Sequence, residues 1–386
     1  MTPVVHWPQE DLCTASADVI SKAGEIAEGG FPSWILDIGR SKTRFTESIQ
    51  IAQDSSIDLL VAIKGNGEKR ILAEAAAAGV GFDVSNLAEL EKIRKLRHSR
   101  DLLVSLTSPA LPSYEWQGIC NAIELGSITH AHWDSLDQLE KACRSMPGTS
   151  VGVRIAASDC VDAENVDGVF QFTRFGIKLS ELPEAAKLAR KYGCSIEALH
   201  AHNASGLHSN SWYTSAVETL ARAASESDIH PSVNLGGGLR CADGFDLKSL
   251  LLNISAASEG VNKIMIEPGR WWSRGCVWLL SEILEVKSSP ICDYVVIDAG
   301  AENHRRWSAP TPPVFGPSGT ASDVQKPYVI CGRTCSERDY FVQVAPTAGY
   351  GQPKVGDWVA LEMGGYSLEM ENYFGGLSPL PRVFVE

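Results

Sequence analysis

IDLLVAIKGNGEKRILAEAAAAGVGFDVSNLAELEKIRKL, residues 57–96, is the stretch that decides the fold. It opens on an apolar, β-rich run (Ile57 to Ile63), passes through Lys64-Gly65-Asn66 and enters a helical pattern over 69–78. A second short run ends at Asp83, and a second helical pattern follows over 86–96. Strands without polar alternation are buried on both faces, as in a parallel sheet, and an intervening helix is the crossover such a sheet needs. The same alternation extends outward. Strand-like runs recur at 102–106, 151–155, 196–200, 233–235 and 263–266, with helical patterns at 136–145, 182–192 and 211–225. Repeated over 33–266, this predicts an α/β fold of the (β/α)8 barrel type rather than an open sheet. Beyond Arg270 the texture changes to strands at 277–286, 293–297, 328–331, 340–344 and 358–361, separated by Gly and Pro, which predicts an all-β domain.

The bulk properties agree with two domains. The chain has 386 residues, 44% hydrophobic and 21% charged. A formal charge of −13 argues against nucleic-acid or anionic-membrane partners. No apolar run reaches the ~18 residues of a membrane span, and the start of the chain lacks the pattern of a signal peptide. The 10 cysteines are scattered without CxxC pairs, which reads as reduced thiols in the cytoplasm and no metal site.

Chemistry is concentrated where strands end. Lys64 closes an apolar strand; there a lysine can snorkel to solvent, or serve as a partly desolvated amine able to form a Schiff base. Asp83 closes the next strand and is either a site acid or part of the cap of the following helix. His200 and His202 share one strand side in Leu199-His200-Ala201-His202-Asn203-Ala204-Ser205, so a metal-binding barrel hydrolase competes with a ring-stacking histidine and a phosphate-binding Ser205. Gly236-Gly237-Gly238 follows a strand and lets backbone N–H groups approach a phosphate, without the spacing of the dinucleotide fingerprint. Glu267-Pro268-Gly269-Arg270 ends the last barrel strand with an acid suited to a pyridine nitrogen and a cation suited to phosphate; a surface turn is the plainer alternative. An amine, a ring, a phosphate cradle and an acid together specify an aldehyde cofactor carrying a phosphate, pyridoxal 5'-phosphate (PLP), and amino-acid chemistry.

These residues resemble the fold-type III PLP decarboxylases that act on ornithine, arginine and diaminopimelate, and the diaminopimelate enzymes most of all. Lys64 and Asp83 have the separation of that family's Schiff-base lysine and aspartate. Arg154 is similar to its strand arginine near the cofactor, and Arg174-Phe175-Gly176 to its Lys-Phe-Gly. His202-Asn203-Ala204-Ser205 resembles its His-x-Gly-Ser, and Gly236, Gly237 and Gly238 its phosphate glycines. Glu267 with Arg270 resembles its pyridine-nitrogen and phosphate ligands, Cys335 its C-terminal cysteine, and Gly365-Tyr366 its Gly-Ala-Tyr. The resemblance implies an alanine-racemase-like architecture with the barrel over 30–272 and a β-domain made of 1–29 and 273–386. It further implies a homodimer with shared active sites, in which Lys64, His202, Glu267 and Tyr366 come from one subunit and Cys335 from the other. Lys64, Cys335, Glu267 and His202 would be catalytic.

Departures from the family bear on the substrate. Where relatives carry an acid after the cysteine, this chain has Ser336, with Glu337 one place later. Asp298 to Arg306 resembles the Asp-Ala-Gly segment, placing Arg306 at the substrate arginine. A missing anion and a retained cation predict α-decarboxylation of an amino acid with a polar or anionic far end. The alternatives are a diaminopimelate or basic amino-acid decarboxylase proper, an amino-acid racemase, and a cofactor-less regulatory homologue. Alanine racemase shares barrel and cofactor but places an arginine at the pyridine nitrogen, so Glu267 speaks for decarboxylation.

Overall fold

The computed structural model describes residues 17–30, 32–96, 102–160, 173–203, 209–241, 245–305, 313–316, 326–344 and 353–386. A first strand, β1 (Ser33–Asp37), precedes eight parallel strands that close on themselves. These are β2 (Ile57–Ala62), β3 (Gly81–Val84), β4 (Val104–Ser108), β5 (His130–Trp133), β6 (Ser150–Arg154), β7 (Ser195–His200), β8 (Ser232–Asn234) and β9 (Lys263–Ile266). Pairing of β2 with β9, Ile57 opposite Ile264, completes the barrel. Several of the helices between the strands begin where a side chain satisfies a free N–H group of the first turn. Asn86 Oδ1 accepts from Glu89 N at 2.9 Å, and Ser135 Oγ accepts from Gln138 N at 3.2 Å. Asp83 is therefore not a cap: it lies inside β3, fully buried.

Among the described residues the second sheet has eight strands: β1 together with β10 (Val277–Ser288), β11 (Asp293–Ile297), β12 (Val314–Gly316), β13 (Tyr328–Cys331), β14 (Tyr340–Val344), β15 (Trp358–Glu362) and β16 (Arg382–Val385). Its order is β12-β15-β10-β11-β13-β14, with β1 pairing antiparallel to β10 and parallel to β16. The β-rich run at Ser33 therefore belongs to this sheet, and the barrel starts at Ile57. Val19 and Ala23, on the helix Ala17–Gly29, pack with Ile35, Trp278, Leu280, Trp358, Ala360 and Val385 in one buried cluster. Burying a large apolar side chain of this kind contributes about 1.5–3 kcal/mol.

The described residues fall into two compact units. One holds those up to Ser41, Cys241, and those from Arg270 onward; the other holds those within Lys42–Arg240 and Phe245–Gly269. Among the described residues no helix is long and apolar enough to cross a membrane.

Candidate active site

Lys64, Asp83, His200 and Glu267 stand at or just past the C-terminal ends of barrel strands, the face where loops can converge on a ligand. Lys64 sits in the three-residue turn Ile63–Gly65 that follows β2. Its Nζ donates to Asp83 Oδ2 at 3.0 Å and lies 3.8 Å from Glu267 Oε2. Asp83 is fully buried and Glu267 is 2% exposed, whereas the Lys64 side chain is 37% exposed. Two buried carboxylates thus face one accessible amine.

The two acids divide the charge between them. Burial, reinforced by the charge on Glu267, pushes Asp83 up to about 7 against the pull of Lys64. Burial opposes the charge on Glu267 as well, but Lys64, His200 and His202 outweigh it and hold that carboxyl far below the usual range. Glu267 is the anion of the pair. Asp83 Oδ1 is buried without a hydrogen-bond partner among the described residues.

The β7 end supplies His200, 1% exposed, with Nε2 3.6 Å from Glu267 Oε1. Burial, countered by Glu267, lowers His202 to about 3, so its ring is neutral and suited to stacking. The glycines after β8 are sterically required. Gly236 has φ +60°, and a Cβ there would stand 2.9 Å from Ala201 O and 3.0 Å from the His202 backbone. A Cβ on Gly237 would stand 2.8 Å from Glu267 O and 3.3 Å from His202 Nε2. Tyr213 donates to Gly237 O at 2.8 Å and fixes the loop from behind.

Arg154, the last residue of β6, donates to Asp134 Oδ1 at 2.9 Å, and Asp134 Oδ2 accepts from Gly176 N at 3.1 Å. Its guanidinium carbon lies 4.4 Å from the centre of the Phe175 ring, with that of Arg174 4.3 Å from the same ring. Ser205 and Arg306 lie outside the described residues.

The remaining candidates belong to the other unit. Arg270 is in the short helix Gly269–Ser273, and Tyr366 opens the helix Tyr366–Glu369. Cys335 is an exposed free thiol in the loop between β13 and β14. Buried Asp339 shapes that loop, accepting from Thr334 N at 2.8 Å and from Ala301 N at 2.6 Å. Ser336 Oγ donates to Glu302 Oε1 at 3.3 Å, so a carboxylate does stand beside the position expected to lack one. Glu337 is exposed.

Sequence reasoning missed a second layer: Ser105, His132, Asn234, Tyr213, Asp134 and Asp339. Its only legible signal was the alternation His130-Ala131-His132 and the asparagine two places before the glycines. Among the described residues no three His, Cys, Asp or Glu side chains converge as metal ligands.

The arrangement fits PLP. An accessible amine faces buried acids, one carboxylate oxygen has no partner, a neutral imidazole lies beside them, and the glycine loop excludes any Cβ. The chain matches the family model of the pyridoxal-dependent decarboxylase pyridoxal-binding domain over residues 36–274. It is 23% identical over 327 residues to the diaminopimelate decarboxylase of Deinococcus radiodurans, covering 82% of this chain and 80% of that one. It is 24% identical over 233 residues to the ornithine decarboxylase of Neurospora crassa, where the match spans 58% of this chain and only 46% of the relative. The solved structure of Helicobacter pylori diaminopimelate decarboxylase with L-lysine shares the fold, with a TM-score of 0.78, 21% identity and 94% of each chain covered. With the domain match spanning Lys64, the glycine loop and Glu267, the chain belongs to the pyridoxal-dependent decarboxylase family.

Proposed function

We propose that the protein removes the α-carboxylate of an amino acid, or of an intermediate derived from one, as CO2, and that its substrate has a polar or anionic far end. The observation that carries this reading is the charged Glu267 carboxylate, whose Oε2 lies on the Lys64 side while its Oε1 is engaged from behind. PLP, when bound, supplies the electron-accepting ring that makes loss of CO2 possible.

The chain's own residues divide the remaining work. Lys64 holds the cofactor through its amine, with Asp83 Oδ2 accepting a hydrogen bond that orients the lysine. Glu267 keeps a proton on the ring nitrogen. His202 offers a flat neutral face; Gly236, whose own N–H is held by Asn234 Oδ1, sets the turn, and the N–H groups of Gly237 and Gly238, with Ser205 and Arg270, hold phosphate. Arg154 and Tyr366 complete the cofactor surroundings. Cys335, or Lys64 itself, returns a proton to Cα after CO2 leaves. In this reading the protein works in the cytoplasm as a homodimer, with Cys335 of one subunit serving the site built on Lys64 of the other. Arg306 would favour a distal carboxylate, phosphate or acyl oxygen.

One observation favours a second reading. Glu302, hydrogen-bonded to Ser336, could receive a distal ammonium, which would make the protein a diaminopimelate or basic amino-acid decarboxylase proper. Measuring CO2 release over amino acids with basic, acidic and conjugated side chains decides between them. Turnover confined to acidic or acyl-bearing substrates supports the first reading, and efficient turnover of ornithine or lysine replaces it with the second. Purified protein without the absorbance of bound PLP would be a regulatory homologue instead.

A further inference from the structure

The interior of a (β/α)8 barrel is ordinarily filled by layers of branched apolar side chains. Beneath Glu267 this barrel departs from that rule. Ser105 and Thr107 from β4, His132 from β5, His200 from β7 and Asn234 from β8 are all buried there, between 0% and 7% exposed. Polar groups in such a place are costly unless they are partnered, so each bond made there has weight.

Asn234 uses its whole carboxamide. Its Oδ1 accepts from Gly236 N at 2.8 Å, which fixes the amide's orientation. Its Nδ2 must then donate, and it does so to Glu267 Oε1 at 2.9 Å and to Ser105 Oγ at 3.2 Å. His200 Nε2 approaches the same Glu267 oxygen at 3.6 Å, a contact longer than a hydrogen bond, and neither of its ring nitrogens has a hydrogen-bond partner among the described residues, so the carboxylate is the polar group it faces. Burial depresses His200 and, more strongly, His132, so both rings are neutral and each carries one N–H. A neutral ring facing a carboxylate is more stable with its N–H toward that oxygen than with its lone pair. His132 lies behind, its ring 5.2 Å from that of His200, with Nδ1 3.4 Å from Ser105 Oγ and 3.3 Å from Thr107 Oγ1.

We propose that Asn234 and His200 are positioning residues for the decarboxylation. From two neighbouring strands, Asn234 donates a hydrogen bond to Glu267 Oε1 and His200 turns an N–H toward it at longer range, holding the carboxylate charged and turned so that Oε2 faces the cofactor's ring nitrogen. His132 and Ser105 back this pair. Donors on Oε1 make Glu267 a weaker base, so the proton it shares with the ring nitrogen stays on nitrogen. The inference rests on the decarboxylase reading but concerns a protonation state that can be observed without turnover.

The test uses holoenzyme loaded with PLP carrying 15N in its ring, whose resonance reports protonation directly. Wild type is compared with Asn234→Leu, His200→Phe and His200→Gln, the last keeping an N–H donor. The groups that also titrate or carry charge around Glu267 are Lys64, Asp83, His132, Arg154 and His202, and all remain in place in every variant.

Losing the Asn234 hydrogen bond, or the longer His200 contact, should make Glu267 a stronger base by up to about one to two units and so reduce the share of ring nitrogen that carries the proton at neutral pH. The same loss should cut kcat about ten- to hundredfold while KM changes less than about threefold. His200→Gln should lie close to wild type. If Asn234→Leu does not fold, the contrast between His200→Phe and His200→Gln carries the test alone. Identical nitrogen titrations in wild type and in folded, PLP-bound His200→Phe would overturn the assignment of His200, and the same result for Asn234→Leu that of Asn234. A wild-type protein with a protonated ring nitrogen that decarboxylates nothing would instead overturn the functional reading and leave the donor assignment standing.

Discussion

At the barrel mouth, Lys64, Asp83, Glu267, His200 and Asn234 hold one another through contacts of 2.9–3.8 Å, and all but Lys64 are 2% exposed or less. In the loop between β13 and β14, Cys335 and Glu337 are exposed, and the Ser336 hydroxyl donates to Glu302 and accepts from Arg338 N. The first region cannot change one residue without leaving a buried charge or polar atom unmatched, which costs several kcal/mol. The second can change its outward groups freely so long as Asp339 keeps the loop's shape. Chemistry common to many substrates belongs in the first kind of region, and discrimination among substrates in the second.

The largest effect should come from Lys64→Ala. It should leave no measurable CO2 release and no cofactor fixed to the protein by borohydride reduction, because the amine that holds the aldehyde is gone. Retention of a reduced cofactor on the same peptide region would break the assignment. Glu267→Gln comes next. It should still bind PLP yet lose about a hundredfold or more in kcat, since a neutral amide cannot keep the ring nitrogen protonated. Near-normal turnover by a folded variant would mean that another group performs that task.

Mixing Lys64→Ala with Cys335→Ala joins the two regions. If Cys335 serves the partner's site, random exchange should restore about a quarter of wild-type activity. No recovery, despite proven exchange, would place Cys335 in its own subunit's site or outside the chemistry. Within the loop, Ser336→Asp should raise kcat/KM for ornithine and lysine by about tenfold, by adding a carboxylate beside Glu302. If Glu302→Gln abolishes a pre-existing activity on those substrates, Glu302 is the ammonium's partner in the natural protein.

The smallest effect is on stability. Burial depresses His130, His132, His200, His202 and His304, so the unfolded chain binds more protons than the folded one below about pH 6.5. Stability of the cofactor-free protein should therefore fall as pH drops from 7 to 5.5. Asp83 opposes this, since its raised value contributes stability that is lost as pH rises toward about 7. His132→Leu should flatten the acid-side slope by about 1 kcal/mol in urea titrations at the two pH values. An unchanged slope would mean that His132 is charged inside the barrel.

Much of this division was legible in the chain itself. Parallel strands buried on both faces read as short apolar runs, and Lys64, the glycines and Glu267 fall at their ends. β5 was not legible, because two of its four residues, His130 and His132, are polar. β1 looks like any barrel strand, since Ser33–Asp37 is buried throughout; its partners are chosen by pairing with β10 and β16, far along the chain. Asn234 gave little signal because an asparagine before glycines is ordinary in a turn, and its value comes from Ser105 and Glu267, which only the closed barrel brings beside it. His200 was one of several histidines in a crowded segment, and nothing local distinguished a carboxylate partner from a metal.

The pairing of β1 with both β10 and β16 has a consequence for how the protein is made. The barrel lies, in chain order, inside an interruption of the second sheet. A ribosome therefore releases β1 first, then all eight barrel strands, and only afterwards the neighbours β1 needs. The barrel can assemble while synthesis continues, whereas Trp34, Ile35 and Leu36 must wait until residues 382–385 have emerged. Until β10 emerges an apolar strand with two open edges is exposed to other nascent chains, and until 382–385 follow one edge stays open, so chaperone demand should be set by this strand rather than by the barrel.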